Sequence, residues 1–450
     1  MVNIYNFLKN VFQDIKTETS KNNLFLLALL LVTTIPLPFA VSNICLVLFV
    51  LFALIKFKKE KVNIQFSLLL PIALFVLMTL SYFWSIDKES TLKAIPKEIS
   101  LLLIPFVFLI NKDFSSLQLD KLKKYYSYSI VLVVLYFLAR AVIRYTINHD
   151  TRAFFYHGEN EIDFGLVPKL LNAIHVSVFV AIALFCFLSK EVKTKVDIII
   201  SGLLFVFILL LSSKNIIVVV ILLLLIQVFY FSKTSNRLRL RNLIVFAVVI
   251  GLLFSFGRIK SRFLHEFQSN SEKSISTNVI EGVPDGVHYV SLKEAWTNQK
   301  FTPNDYFPGT AFRVYQFRVF TEILSENNRY LSGFGLNAST SKVEEKAISY
   351  NLFLGNGEKE GYQTKNFHNQ YIQNFADLGI FGFLLIITIL FINLKNAIKK
   401  KDFLHFAFAI LMISLFLTES FLWRQRGVVF FTIMYCIFNF GSLKSNSKTE

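Results

Sequence analysis

The sequence has little of what most catalytic or cofactor-binding domains are built from. Its three cysteines, Cys45, Cys186 and Cys436, all fall inside apolar runs, which excludes a disulfide framework and a zinc-ligand spacing and leaves them as small core residues. Acids number 30 against 47 Lys and Arg. Where acids adjoin, as at Glu344 and Glu345 or near Glu358 and Glu360, they sit in polar loop sequence and read as solvated, so no metal set is expected. Glycine is scarce at 17 of 450 residues, and the short motif Gly333-Phe334-Gly335 lacks the Lys-Ser/Thr that a phosphate-cradling nucleotide loop requires. No nucleotide site and no cofactor follow from such a chain. No cleavable leader is expected either, because residues 1–23 are amphipathic and charged, without a short apolar core ending in small residues.

What the chain does have is apolar side chains in long runs. Hydrophobic residues make up 54% and Phe alone accounts for 50 positions, a pattern of a polytopic, all-α integral membrane protein. Stretches that reach or approach the length needed to cross a bilayer fall at 24–40, 43–57, 65–84, 99–110, 126–143, 170–188, 198–211, 216–231, 243–256, 372–394, 403–417 and 428–440, about twelve spans in all. The weakest is 99–110, interrupted by Pro105. The net charge of +17 is distributed topologically, in short loops such as 56–61, 111–124, 189–195, 232–241 and 393–401. Basic short loops stay cytoplasmic, so both termini are expected inside and the long polar segment after the ninth span outside. This charge pattern does not ask for nucleic acid. The expected division is a membrane bundle of about nine spans at 1–256, a large external loop domain at 257–370, and about three further spans with a cytoplasmic tail at 371–450.

The polar segment carries the residues with chemical potential. Helix is expected at 290–299 and again from Phe312 to about Asn327, with loops at 270–286 and 304–309, where Gly, Pro, Asn and Ser concentrate. Arg313 lies on one helical face with Phe317, Phe320 and Leu324. Arg318 is five residues from Arg313 and so points elsewhere, with Glu322 at i+4 as its natural exposed partner. His368, set among amides and aromatics just before a span, can accept a proton at ambient pH, although the residue alone is better accounted for as an interfacial histidine satisfied by water. His175 near a span end is a site candidate because ionisable groups there are costly. His149, His157, His265, His288 and His405 read as solvated. Lys214, Arg424 and Arg426 add cations at the same surface. Several membrane-level cations with few nearby acids suit a lipid-linked phosphate or pyrophosphate.

At these residues the chain resembles the O-antigen ligase and polymerase superfamily of bacterial envelope proteins. The likeness runs through Arg313 to Phe317, Gly333-x-Gly335, His368-Asn369 and Ala376-Asp377-Leu378-Gly379-x-x-Gly382. It includes Trp84-Ser85, Ser212-Ser213-Lys214 and the stretch from Glu419 to Gly427. The chain departs from the family pattern with Phe317 in place of Trp, Lys214 in place of Arg, and Asp377 in place of Glu. The resemblance implies a GT-C-like helical fold in the bacterial inner membrane and a metal-independent, inverting glycosyltransferase that needs no cofactor. Its donor would be a glycan on undecaprenyl pyrophosphate, and its acceptor a hydroxyl of lipid A core or a similar envelope molecule at the outer face. His368 would then deprotonate or orient the acceptor. Arg313 and Lys214, with Arg318, Arg424 or Arg426, would stabilise the departing pyrophosphate, all converging on one lipid headgroup.

Two alternatives share these features. A polymerase or a protein glycan transferase of the same superfamily would use the same catalytic parts on another acceptor. A transporter or flippase of a lipid-linked saccharide would instead place its ionisable residues near the bilayer midplane.

Overall fold

The computed structural model describes residues 2–156, 165–231, 251, 288–356 and 360–441. The span expected at 243–256, the basic loop 232–241, residues 257–287, and His157, His265 and Glu358 lie outside the described residues.

Ten helices build the first part: α1 (Val2–Lys21), α2 (Asn23–Thr33), α3 (Phe39–Ile55), α4 (Phe66–Leu80), α5 (Lys88–Glu98), α6 (Ser100–Ile110), α7 (Ser116–Asn148), α8 (Ala173–Leu188), α9 (Lys195–Leu210) and α10 (Lys214–Ile226). The polar segment contributes two short parallel strands, β1 (His288–Tyr289) and β2 (Asp305–Tyr306), and helices α11 (Leu292–Thr297), α12 (Gly309–Asn327) and α13 (Ser339–Ser349). Three helices close the chain: α14 (Gln370–Lys400), α15 (Phe403–Thr418) and α16 (Gln425–Asn439).

The chain is mostly helical. Among the described residues, four helical stretches are long and apolar enough to cross a membrane, at Phe66–Phe83, Ser116–Asn148, Lys214–Phe231 and Gln370–Lys400. Shorter apolar helices occupy Asn23–Thr33, Phe39–Ile55, Ala173–Leu188 and Phe403–Thr418. Their starts follow local rules. Ser115 and Thr194 form reciprocal capping boxes with Gln118 and Asp197, and Asp402 caps α15 through the Leu404 and His405 amides. Pro105 does not break α6, which runs through it as one buried helix. Between the apolar runs 65–84 and 99–110 lies the helix α5, capped by Asp87.

Buried side chains form two clusters. The larger joins the apolar helices, with Phe49, Phe108, Phe179, Phe207, Phe408 and Phe430 fully enclosed. The smaller is aromatic, built on Phe301, Phe307, Phe312, Tyr315 and Phe334, and it reaches the long helix α14 through Phe367 and Ala376.

Three short pieces of chain lock the second cluster to the first. The Phe334 and Gly335 amides donate to the carbonyls of Ala376 and Asp377, and Ile380 N–H to Tyr330. The 81–91 turn reaches the same loop, with Trp84 Nε1 donating to the Ser332 carbonyl at 2.8 Å and Thr91 Oγ1 to the Leu336 carbonyl at 2.8 Å. At this joint α14 is broken by Gly379, whose φ of 67° and ψ of −162° are open to glycine and strained for other residues. A Cβ there would overlap the Leu331 carbonyl, and one on Gly333 would overlap Asp377 and Gly379. Asp377 is buried, accepting from Ser339 Oγ at 2.5 Å and Gln373 Nε2 at 3.0 Å. The Gly-x-Gly and Ala-Asp-Leu-Gly motifs are therefore two halves of one joint between the polar segment and the bundle, which is where the structure puts Gly333, Gly335 and Asp377.

Candidate functional site

The connector between α15 and α16, residues 419–424, is the point on which the chemistry-bearing residues close. Asn369 caps α14 by accepting from the Tyr371 and Ile372 amides at 3.0 and 3.1 Å. Its own side chain donates to the Leu417 carbonyl at 3.1 Å, and its N–H to Ser420 Oγ at 3.3 Å. Gln370 accepts from the Leu422 amide at 2.8 Å. Pinned this way, the residue before the cap is His368, in a left-handed backbone (φ 46°) with its N–H donated to Asn366 Oδ1.

His368 Nδ1 lies 3.5 Å from Glu419 Oε2. Glu419 is buried. Burial alone would raise its carboxyl, but the hydrogen bond with His368 and the charges of His368, His175 and Arg313 outweigh that and hold it below the ordinary glutamate value. A carboxylate that accepts a hydrogen bond from Nδ1–H keeps that proton on Nδ1 and leaves Nε2 as the basic nitrogen, the arrangement a general base requires.

Arg313, on α12, reaches the same connector from the other side. Its Nη2 donates to the Thr418 carbonyl and its Nη1 to the Gly309 carbonyl, each at 3.1 Å, while the buried Nε has no protein partner. Thr418 Oγ1 also accepts from Asn215 Nδ2 at 2.7 Å, which brings the start of α10, and with it Lys214, to the hub.

The other predicted cations divide. Arg318 is not brought to the hub. It is buried inside the aromatic cluster, with Nε 2.8 Å from Glu322 Oε1, Nη1 on the Asn298 carbonyl at 2.7 Å and Nη2 on Tyr350 Oη at 3.0 Å. Its i+4 partner is the expected one, but the pair is enclosed and not exposed. Arg426 is also consumed structurally. Its guanidinium donates to the carbonyls of Ile35, Leu37 and Leu170 at 3.0–3.1 Å and lies over the Phe39 ring. Arg424, beside it, is exposed. His175 is buried against Phe421, with ring centroids 4.3 Å apart. One histidine read as solvated is not: His405 is buried with Nε2 2.8 Å from Asn393 Oδ1. His288 stays partly open to solvent while it holds Asp305 and Glu294 at 3.1 and 3.3 Å.

Two cavities open on the hub. The larger, about 730 Å³, is lined by His368, Glu419, His175, Arg424 and Arg426, with Lys97, Lys169 and Lys365 added by other parts of the chain. The smaller, about 590 Å³, has Arg313 and Asn369 at its polar end and is otherwise walled by apolar groups, among them Phe317, Phe383, Ile387 and Leu417. The expectation that His368, Arg313 and Lys214 line one space is therefore corrected. His368 lines the larger cavity, Arg313 the smaller, and Lys214 neither of these two. Their link runs through Thr418 and Glu419, neighbours in the chain that lie at the end of a helix with a fixed hydrogen-bond pattern. Nothing local in the sequence marks Thr418 or Asn215, since both act through contacts more than a hundred residues away.

The fold and this hub define a helical membrane protein with an imidazole–carboxylate pair and guanidinium groups gathered at one end of its bundle. Residues 199–387 match the family model described as O-antigen ligase. That match, over less than half of the chain, supports membership of the O-antigen ligase superfamily of ligase- and polymerase-type enzymes. The match takes in Lys214, Arg313, His368, Asn369 and Asp377 and leaves out His175, Glu419, Arg424 and Arg426. No curated protein matches the chain.

Proposed function

We propose that the protein transfers a glycan from a polyprenyl pyrophosphate carrier, of the undecaprenyl type, to the hydroxyl of an envelope acceptor at the outer face of the bacterial inner membrane. One observation carries the reading. On one side of the hub His368 and Glu419 face a polar cavity, and on the other Arg313 lines a largely apolar groove formed with α14 and with Leu417 at the end of α15. A polyprenyl chain needs apolar walls ending in a cation for its phosphates, and an acceptor sugar needs a polar chamber with a base. Each requirement has its own space here.

In this reading His368 Nε2 takes the proton of the acceptor hydroxyl as that oxygen attacks the anomeric carbon. The glycosidic bond forms, the bond from that carbon to the phosphate oxygen breaks, and the carrier leaves as its pyrophosphate. Attack from the side opposite the leaving group inverts the anomeric centre. Glu419 steadies the imidazolium. Arg313, assisted by Lys214 at the start of α10, meets the charge growing on the leaving group, where a preorganised cation is worth several kcal/mol. The leaving pyrophosphate supplies the driving force. Charge supports an orientation with the hub outside the cytoplasm, because the basic stretches 56–61, 111–124, 189–195 and 393–401 lie at helix ends away from it.

Purified protein in vesicles, given carrier-linked oligosaccharide and an acceptor, should form a new glycosidic bond and release polyprenyl pyrophosphate. Movement of the donor across the vesicle without bond formation would overturn the proposal in favour of a transporter.

A further inference from the structure

We propose that the acceptor is an anionic sugar, bearing a phosphate or carboxylate near the accepting hydroxyl, and that Lys97, Lys169, Lys365 and Arg424 receive that charge. The proposal rests on the transferase reading above and names the substrate class of the larger cavity.

The four cations come from four separate parts of the chain. Lys97 is at the end of α5, Lys169 lies just before α8, Lys365 precedes His368, and Arg424 caps α16. Among the described residues, two acids line the same walls, Glu360 and Glu419. Glu419 is engaged by His368. Glu360 sits between two of the lysines, 3.0 Å from Lys169 Nζ and in closer contact with Lys365 Nζ. The hydrogen bond from Lys365 and then that from Lys169 push its carboxyl down to about 2. A carboxylate of the chain thus already shows how an anion lodges there, clasped by residues nearly two hundred positions apart. Lys97 and Arg424 make no ion pair among the described residues, and the described walls carry more cations than acids. Half-buried Trp423 and Tyr156 supply flat apolar faces beside these cations, as sites for polar ligands commonly do. The Arg313 groove differs in kind, with one cation and apolar walls, and so fits the lipid-borne donor.

The test uses the full chain in phosphatidylcholine nanodiscs, a polyprenyl-pyrophosphate oligosaccharide as donor, and two acceptors: a core oligosaccharide with one phosphorylated sugar, and the same molecule after phosphatase treatment. Wild type should favour the phosphorylated acceptor. Lys97→Gln combined with Lys365→Gln should raise KM for it by about tenfold or more, as expected for lost charge-assisted contacts. KM for the dephosphorylated acceptor and for the donor should stay within about twofold. Equal use of both acceptors by wild type would overturn the proposal, as would a rise in donor KM, which would assign these cations to the pyrophosphate. Loss of the preference in phosphatidylglycerol nanodiscs would assign them to a lipid headgroup instead. If wild type glycosylates neither acceptor, the transferase reading fails. Calorimetric binding of the phosphorylated oligosaccharide, weakened in the double variant, would then still establish an anionic-glycan site, and no binding would remove it.

Discussion

His368 and Asn369 are consecutive residues that line different cavities. The positive φ of His368 and the helix cap made by Asn369 turn one side chain toward Glu419 and the other toward the end of α15. The pair therefore stands between a polar chamber and an apolar groove, and the transfer proposed above would bring its two substrates together across it.

Replacing His368 by Ala should lower kcat by about 10²–10⁴-fold, the usual contribution of a general base, and leave donor KM little changed. Glu419→Gln keeps the shape and removes the charge that steadies the imidazolium, so its loss should be smaller. Both are read from transfer rates normalised to folded protein. Wild-type kcat in His368→Ala would remove the imidazole from the mechanism.

Arg313→Ala should cost about 10²–10³ in kcat, the scale of one lost donor to a developing charge. Arg313→Lys should recover only part, because an ammonium cannot span the Gly309 and Thr418 carbonyls while also facing a phosphate. Steady-state kinetics of the two variants against a donor series decides this.

Arg318→Ala should act on stability alone. It strips Glu322 and Tyr350 of a buried partner, costing ~3 kcal/mol, while turnover per folded molecule stays near wild type. Thermal unfolding in detergent beside the transfer assay separates these effects, and a rate loss at full folding would return Arg318 to the site.

Acid should unfold the same region. Burial would raise the Glu322 carboxyl, but hydrogen bonds from Tyr350, Arg318 and Lys346 outweigh it and hold it below the ordinary 4.5. A group with a depressed folded value stabilises fully above its unfolded value and loses that contribution as pH falls through the folded one. The unfolding midpoint of the wild type should therefore drop as pH is lowered below about 4.5. In Glu322→Gln the midpoint should be lower at neutral pH and flatter across the acid range.

Gly379→Ala should reduce the yield of folded protein, since the backbone conformation alone costs about 1–3 kcal/mol for a residue with a Cβ and the Leu331 carbonyl blocks the space. Wild-type melting of this variant would mean that the joint yields more easily than its geometry indicates.

Much of this was legible in the sequence. Apolar runs forecast the helices because span length and hydrophobicity are local properties. The Arg318–Glu322 pair was legible from i+4 spacing, and His368 from its polar setting before a span. What escaped depends on distant contacts. Arg424 and Arg426 look equivalent in the sequence, yet one is exposed on a cavity and the other is spent on three backbone carbonyls. Glu360 is the solvated loop acid its surroundings suggest, but its pairing with Lys169, far away in the chain, had no local signal. The short apolar helix α2 ends seven residues before the run it belongs to, because a turn at 34–38 folds the chain back toward Arg426.

That last anchorage has its own result. The hydrogen bonds of Arg426 all go to main-chain oxygens, so they do not depend on which side chains stand at 35, 37 and 170. Exchange of that one guanidinium would release three carbonyls at once and free the turn at 34–38 from the start of α16.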